Sequence, residues 1–236
     1  MKLPPFHWWR TVFFLIPAIG LYTIGLGILS LASSLFDSGG EFAHRCAQWW
    51  GRAIVWTTGV RITRRGELPP PRTSCIYVAN HASIYDIPVL FVAIPTQLRL
   101  IAKDTLGYVP FIGWHLSRTG HLLLNRKRPG ASVFKRMQRM VGQGASLLVF
   151  PEGSRSRDGS LRPFKGGIFL LAIENRLPVV PVSLAGMRAV MPRGRLMVCP
   201  AAVHATVHEP ISTEGMSRGD ARALAERVKQ IIAQGI

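Results

Sequence analysis

Twenty-five consecutive residues, Val12 to Phe36, carry no charged side chain. A helix needs about 20 apolar residues to cross the hydrocarbon core of a bilayer, so this segment either meets lipid or is buried in protein. A cleavable signal is the first rival, because Lys2 and Arg10 give a basic start and Ala32-Ser33-Ser34 mimics a cleavage site. The apolar core of such signals usually runs about 7–15 residues. This run is far longer, so an uncleaved segment is expected. Pro17, Gly20, Gly25 and Gly27 interrupt it, which membrane helices tolerate although a simple spanning rod is weakened.

The next stretch, Phe42 to Val60, is again apolar, with Arg45 and Arg52 its only charges, and Trp8, Trp9, Trp49, Trp50 and Trp56 flank or occupy the two stretches. Tryptophan favours the headgroup level, where its ring is buried and its N–H stays wet. Three readings follow: a spanning helix followed by an amphipathic helix on the surface, a helical hairpin dipped into one leaflet, or a hairpin buried in the protein core. The basic residues flanking the run are too evenly divided to set an orientation. Residues 1–60 are therefore expected to be membrane-anchoring helices and residues 61–236 a separate α/β domain.

Charge is concentrated in that second part. The chain has 29 Lys and Arg against 12 Asp and Glu, a formal charge of +17. Residues 1–60 contribute only Lys2, Arg10, Arg45 and Arg52 against Asp37 and Glu41, which leaves +15 on the remainder. Such a field suits anionic partners: nucleic acid, an acidic protein, or a leaflet of negative headgroups. A merely solvated basic surface is the plain alternative. The mean hydropathy of +0.22 is high for a freely soluble protein. Cys46, Cys75 and Cys199 are odd in number and lack a CxxC spacing, which argues against a disulfide framework or a zinc site and for a reduced compartment.

After Pro69-Pro70-Pro71, short apolar runs alternate with helix-like segments. Strands are expected at 74–79, 98–102, 121–124, 145–150, 179–184, 196–199 and 203–208. Helices are expected at 87–93, 131–141, 167–175 and 218–233. Continuous apolar strands alternating with helices predict an α/β domain whose mostly parallel central sheet is covered on both faces. Sites in such sheets form on the loops beyond the strand ends.

The first of those loops reads Asn80-His81-Ala82-Ser83-Ile84-Tyr85-Asp86. Ser83 is a natural N-cap, which puts His81 just outside the helix and Asp86 in its first turn. Asp86 can then reach one imidazole nitrogen, fix the tautomer and stabilise the imidazolium, leaving the other nitrogen to take a proton. No GxSxG elbow supplies a nucleophile, so general-base chemistry on a substrate hydroxyl is more economical than a covalent acyl-enzyme. A structural histidine beside a helix cap is the alternative for an H-x4-D pair taken alone. His204 and His208 stand four apart, but the intervening Val203, Ala205 and Val207 read as a strand, so no metal site is expected.

Other loops carry compatible chemistry. Phe150-Pro151-Glu152-Gly153-Ser154-Arg155 follows an apolar run. Gly153 frees the backbone to approach a ligand, Arg155 offers a planar fork of donors to phosphate oxygens, and Glu152 is placed to orient that arginine or a hydroxyl. Lys165 precedes Gly166-Gly167 at a helix start, where free N–H groups and the dipole suit an anion. Arg118, Arg126, Lys127, Arg128, Lys135, Arg136 and Arg139 form an acid-free stretch. Arg126 ends a strand. The others form a solvated face, a leaflet contact or a docking patch for an acidic acyl carrier.

Asn80-His81 with Asp86 resembles the NHxxxxD signature of the glycerolipid acyltransferase family, which includes 1-acylglycerol-3-phosphate acyltransferases. Gly120 to Arg126 is similar to the family's second block, where an arginine helps hold the acceptor. Phe150 to Ser156 is similar to its FPEGTRS block, with Ser154 in the threonine place, and Leu177 to Val182 to its fourth, apolar block. Lys103-Asp104-Thr105-Leu106 resembles a stretch that usually ends in Glu-Leu. The match covers roughly residues 74–185. It implies a glycerol-3-phosphate acyltransferase-like fold, with His81 and Asp86 catalytic and Asn80, Lys103, Arg126, Glu152, Gly153, Ser154, Arg155 and Lys165 holding substrate. It implies acyl transfer from acyl carrier protein or coenzyme A to the free hydroxyl of 1-acyl-sn-glycerol-3-phosphate, with no metal and no prosthetic group. It also implies association with membrane phospholipids at the inner (cytoplasmic) membrane, the site facing the cytoplasm, and no nucleic-acid partner. Other acceptors remain open: glycerol-3-phosphate, another lysophospholipid or a lyso-aminolipid. A non-catalytic lipid-binding protein of the same fold also remains open.

Overall fold

The computed structural model describes residues 5–37, 39–71, 73–124, 131–142, 145–156, 159–191 and 194–236. Seven strands form one sheet: β1 (Arg61–Arg65), β2 (Ile76–Ala79), β3 (Leu98–Lys103), β4 (Leu122–Leu124), β5 (Ser146–Val149), β6 (Val179–Ala185) and β7 (Ala202–Val207). Their spatial order is β1-β7-β6-β2-β5-β3-β4. All neighbours are parallel except β6 and β7, which run antiparallel.

The alternation of side chains explains why these strands read as unbroken apolar runs. Cys75, Tyr77 and Ala79 enter one buried cluster, while Ile76 and Val78 enter another on the opposite face. Leu148 and Phe150 likewise part from Leu147 and Val149. Helices Glu41–Thr58 and Asp86–Ala93 supply Ala47, Ile54, Val89 and Phe91 to the first cluster. Helices Gly167–Glu174 and Ala221–Ala233 supply Phe169, Leu171, Val228 and Ile232 to the second. A strand apolar on both sides has no solvent face to mark with polar residues.

The strands differ from expectation at two places. β1 was not foreseen, because its Arg61, Arg64 and Arg65 are exposed and only Ile62 and its parallel pairing with β7 hold it to the sheet edge. Residues 196–199 form no strand. The Val198 N–H donates to Thr11 Oγ1 at 2.8 Å and the Cys199 N–H to Val190 O at 2.8 Å, so loop and helix groups take the bonds a ladder would have used.

The N-terminal helix Phe6–Ser33 is, among the described residues, the one long and apolar enough to cross a membrane, and only 6% of its apolar window is buried inside the protein. That exposure overturns the core-hairpin reading. The helix pairs in antiparallel fashion with Glu41–Thr58. Trp50 Nε1 donates to Thr23 Oγ1 at 3.0 Å, and Arg10 Nη2 donates to the carbonyls of Thr57 and Thr58 at 3.0 and 3.1 Å. Those carbonyls end the second helix, where its dipole attracts a cation. The hairpin is tied to the α/β part along its whole length: at Thr11 to Val198, at Ser30 to His115, and at Gly39 to the side chains of Gln97 and Arg99. The two helices thus form a hairpin laid along the α/β part. Gly27 permits the close approach, since a Cβ there would meet the Phe111 Cβ at 3.0 Å.

Candidate active site

β2 and β5 are parallel neighbours, so the loops that follow them leave the same edge of the sheet side by side. His81 lies on the first and Glu152 on the second. The His81 Nδ1–H donates to Asp86 Oδ2 at 2.7 Å. The same carboxylate oxygen accepts the backbone N–H of Ala82 at 2.8 Å and of Ser83 at 3.0 Å. Asp86 is fully buried, and its Oδ1 has no partner among the described residues. Burial pushes the Asp86 carboxyl above its ordinary range, opposed by the His81 hydrogen bond and charge and by the two backbone N–H groups. The helix begins at Asp86 with Tyr85 in the cap position, two residues later than a Ser83 cap predicts. Ser83 Oγ instead accepts the Tyr85 N–H and donates to Met191 O, both at 3.3 Å.

The loop after β5 holds His81 from the other side. Glu152 Oε1 accepts the His81 backbone N–H at 2.7 Å, and Oε2 accepts the Arg162 N–H at 3.1 Å. Ser156 N–H donates to His81 O at 2.9 Å. The Phe150 ring stacks on the imidazole with centroids 4.2 Å apart and planes 21° from parallel. Burial raises the Glu152 carboxyl, and the two backbone N–H groups oppose it. Glu152 was expected to orient Arg155 or a hydroxyl; its carboxylate instead joins the two loops through their backbones.

The remaining expected residues divide. Asn80 lies buried under the site, its Nδ2–H donating to Leu184 O at 2.9 Å and its Oδ1 accepting the Leu184 N–H at 2.7 Å. Both halves of the amide therefore brace β6, where a substrate contact was expected. Ser154 Oγ meets the Arg162 guanidinium. Gly153 has φ of 72°, a left-handed conformation open to glycine. The Lys165 ammonium lies close above it, 3.2 Å from where a Cβ would be. Lys103 is exposed at the end of β3, on the same sheet edge. Arg126 lies outside the described residues. Phe150, Arg162 and Ser156 were missed as supports of His81, since neither spacing nor charge links them to it before the fold is known.

His81 and Arg155 line one cavity of about 480 Å³ between the N-terminal hairpin and the α/β part. Its other walls are mainly apolar and include Leu15, Ile19, Trp50, Phe91, Phe111 and Leu116. A base with one free ring nitrogen, an arginine and a long apolar chamber thus share one space. That suits an amphiphile with an anionic head and a hydrocarbon chain.

The acyltransferase family model matches residues 60–185. The chain is 36% identical over 175 residues to the chloroplastic 1-acyl-sn-glycerol-3-phosphate acyltransferase BAT2 of Brassica napus, covering 72% of this chain and 51% of that protein. It is 32% identical over 176 residues to the alpha enzyme of that name from Mus musculus, covering 72% of this chain and 62% of the relative. The chain thus spans about half the length of the plant relatives it matches. The crystal structure of the 1-acyl-sn-glycerophosphate acyltransferase PlsC from Thermotoga maritima superposes with a TM-score of 0.79 at 24% identity, covering 94% of this chain and 95% of that one. That likeness establishes the fold.

Proposed function

The chain belongs to the acyltransferase family, and from that premise we propose that it moves a fatty acyl group from a thioester of acyl carrier protein or coenzyme A to the free hydroxyl of 1-acyl-sn-glycerol-3-phosphate, giving phosphatidic acid. The observation that carries the reading is the shared cavity, in which an imidazole bonded to a buried carboxylate and a guanidinium meet a hydrocarbon-lined chamber. Relatives named for this reaction support the acceptor.

With Nδ1–H held by Asp86, the His81 Nε2 lone pair takes the acceptor's hydroxyl proton as the oxygen attacks the thioester carbonyl. A C–O bond forms, the C–S bond breaks, and the proton passes from the imidazolium to the leaving thiolate. Asp86 steadies the cation formed between these steps. Its carboxylate is short of partners on Oδ1, so a neighbouring imidazolium also offsets a buried negative charge. Arg155 and Lys165 supply charge for the acceptor phosphate, with Lys103 on the same sheet edge. Bond making and breaking balance without a metal or prosthetic group.

The hairpin supports attachment to one leaflet. Phe13 and Phe14 on the first helix and Trp56 on the second are 66%, 56% and 82% exposed, and Arg45 and Arg52 on the second helix are exposed too. Rings beside arginines suit the headgroup level. We place that leaflet on the cytoplasmic side of the inner membrane, where both donors and reduced cysteines are found.

The test is thiol release by purified protein against a panel of lysolipids, glycerol-3-phosphate and a lyso-aminolipid, with both donor types. Release with lysophosphatidic acid, lost by about 10²–10⁴ in folded His81→Ala, is the expected result. Near-wild-type turnover in that variant would refute the base. No release with any pair would leave a lipid-binding protein of this fold.

A further inference from the structure

The cavity is apolar along most of its wall, yet two histidines besides His81 interrupt it: His115 and His121 both line it. His121 is only 2% exposed. Its Nδ1 accepts the Leu100 backbone N–H at 2.9 Å, which assigns the ring proton to Nε2. Among the described residues none accepts from that Nε2–H, and the atom is not one of those sealed in the core. His115 Nδ1 is bonded to Ser30 Oγ at 2.6 Å, which likewise leaves its Nε2 without a protein partner among the described residues. The two rings are neighbours, with centroids 5.2 Å apart.

A donor of this kind facing hydrocarbon is costly unless a ligand or water meets it. A saturated chain offers it nothing. We propose that this histidine pair is a selectivity site for an oxygen-bearing acyl chain, the chain's hydroxyl or keto oxygen accepting from the His121 Nε2–H. A hydroxyl can also donate to His115 Nε2 when His115 gives its Nδ1–H to Ser30. Burial, with the Arg99 guanidinium beside them, keeps both rings neutral, as a donor and acceptor pair requires. The proposal rests on the acyl-transfer reading for the delivery of the chain, and the preference of the cavity itself can be measured without turnover.

The experiment has two parts. The first titrates full-length protein in detergent with hexadecanoic acid and a positional series of its monohydroxy derivatives, by displacement of a fluorescent fatty acid. One position is expected to bind about tenfold more tightly than the unsubstituted chain, the gain a buried hydrogen bond of ordinary strength allows. In His121→Asn, which keeps an acceptor for the Leu100 N–H but lacks the Nε2–H, that preference should vanish while the unsubstituted chain still binds. His115→Phe is the second variant and should weaken the preference for hydroxyl over keto chains. The second part compares kcat/KM when the same oxygen is carried on the thioester or on the lysolipid, which identifies the chain that reaches the histidines. Equal binding across the series, or a preference that survives in His121→Asn, overturns the proposal. Loss of turnover with every chain while the binding preference persists would count against the acyl-transfer reading and leave the selectivity site standing.

Discussion

The Glu152 carboxylate accepts the backbone N–H of His81 at 2.7 Å, so an acid on one loop fixes the main chain of the base on another. Its second oxygen takes the Arg162 N–H at 3.1 Å. Glu152→Gln keeps one acceptor and turns an amide N–H2 toward the other N–H, whereas Glu152→Ala leaves both without an acceptor. A buried donor left unsatisfied costs about 1–3 kcal/mol. Glu152→Ala is expected to lower the unfolding free energy by about 2–4 kcal/mol and to reduce kcat, and Glu152→Gln to lie between it and the wild type. Denaturant unfolding read beside kcat separates the two losses. A Glu152→Ala protein of unchanged stability and turnover would show that the joint is idle.

Asp86 is fully buried and lies behind the imidazole. Asp86→Asn should therefore act on kcat through the ring's tautomer and charge, with little change in KM for the lysolipid. The expected fall is on the order of 10²–10⁴. Steady-state kinetics check it, together with an unfolding measurement to show that Ala82 and Ser83 still find an acceptor. A large rise in KM with kcat unchanged would move Asp86 from positioning the base to shaping the acceptor site.

Much of the α/β core was legible because Tyr77, Leu148 and Val180 sit in unbroken apolar runs, the mark of strands buried on both faces. β1 was hidden because Arg61, Arg64 and Arg65 give an edge strand the look of a loop. The His81–Asp86 pair could be read from spacing, since both residues lie within one turn-and-helix start. Asn80 and Glu152 could not be read in the same way. Their bonds to Leu184 and to His81 and Arg162 are long-range, set by the order in which β6, β2 and β5 lie side by side. The hairpin's path along the domain was equally out of reach, because it depends on bonds from Thr11, Ser30 and Gly39 to residues far along the chain.

Acid should destabilise the protein through its buried histidines. Burial, then the Arg99 charge, lowers the His115 pKa from 6.5 to about 4, and burial, then His115 and Arg99, drives His121 down as well. Between those values the unfolded chain binds protons that the folded chain refuses. Stability is thus fully present above about pH 6.5 and is lost as pH falls through the window toward about 4. A drop from about pH 7 to about pH 5 should lower the unfolding free energy by roughly 2 kcal/mol through His115, less where the cavity admits water, and His121 should act in the same direction. Thermal melts in detergent at the two values check this, and His115→Gln should flatten the dependence. A melting temperature unchanged over that range would mean the rings are not held neutral.

The exposed rings of the hairpin set how firmly the protein holds a bilayer. Phe13 and Phe14 are 66% and 56% exposed and touch the core little, so replacing them should leave the fold intact. Burying a phenylalanine in an apolar phase gains about 1.5–3 kcal/mol, and an aspartate in its place adds a penalty for a charge at the same depth. The double variant Phe13→Asp with Phe14→Asp is expected to lower the vesicle partition coefficient at least tenfold while the melt in detergent stays near that of the wild type. Trp56→Ala, at the far end of the second helix, should weaken binding by a smaller factor, because a headgroup-level indole is only partly desolvated. Partition that is indifferent to both changes, yet falls when salt is raised, would shift the attachment from the apolar hairpin to the basic surface of residues 61–236.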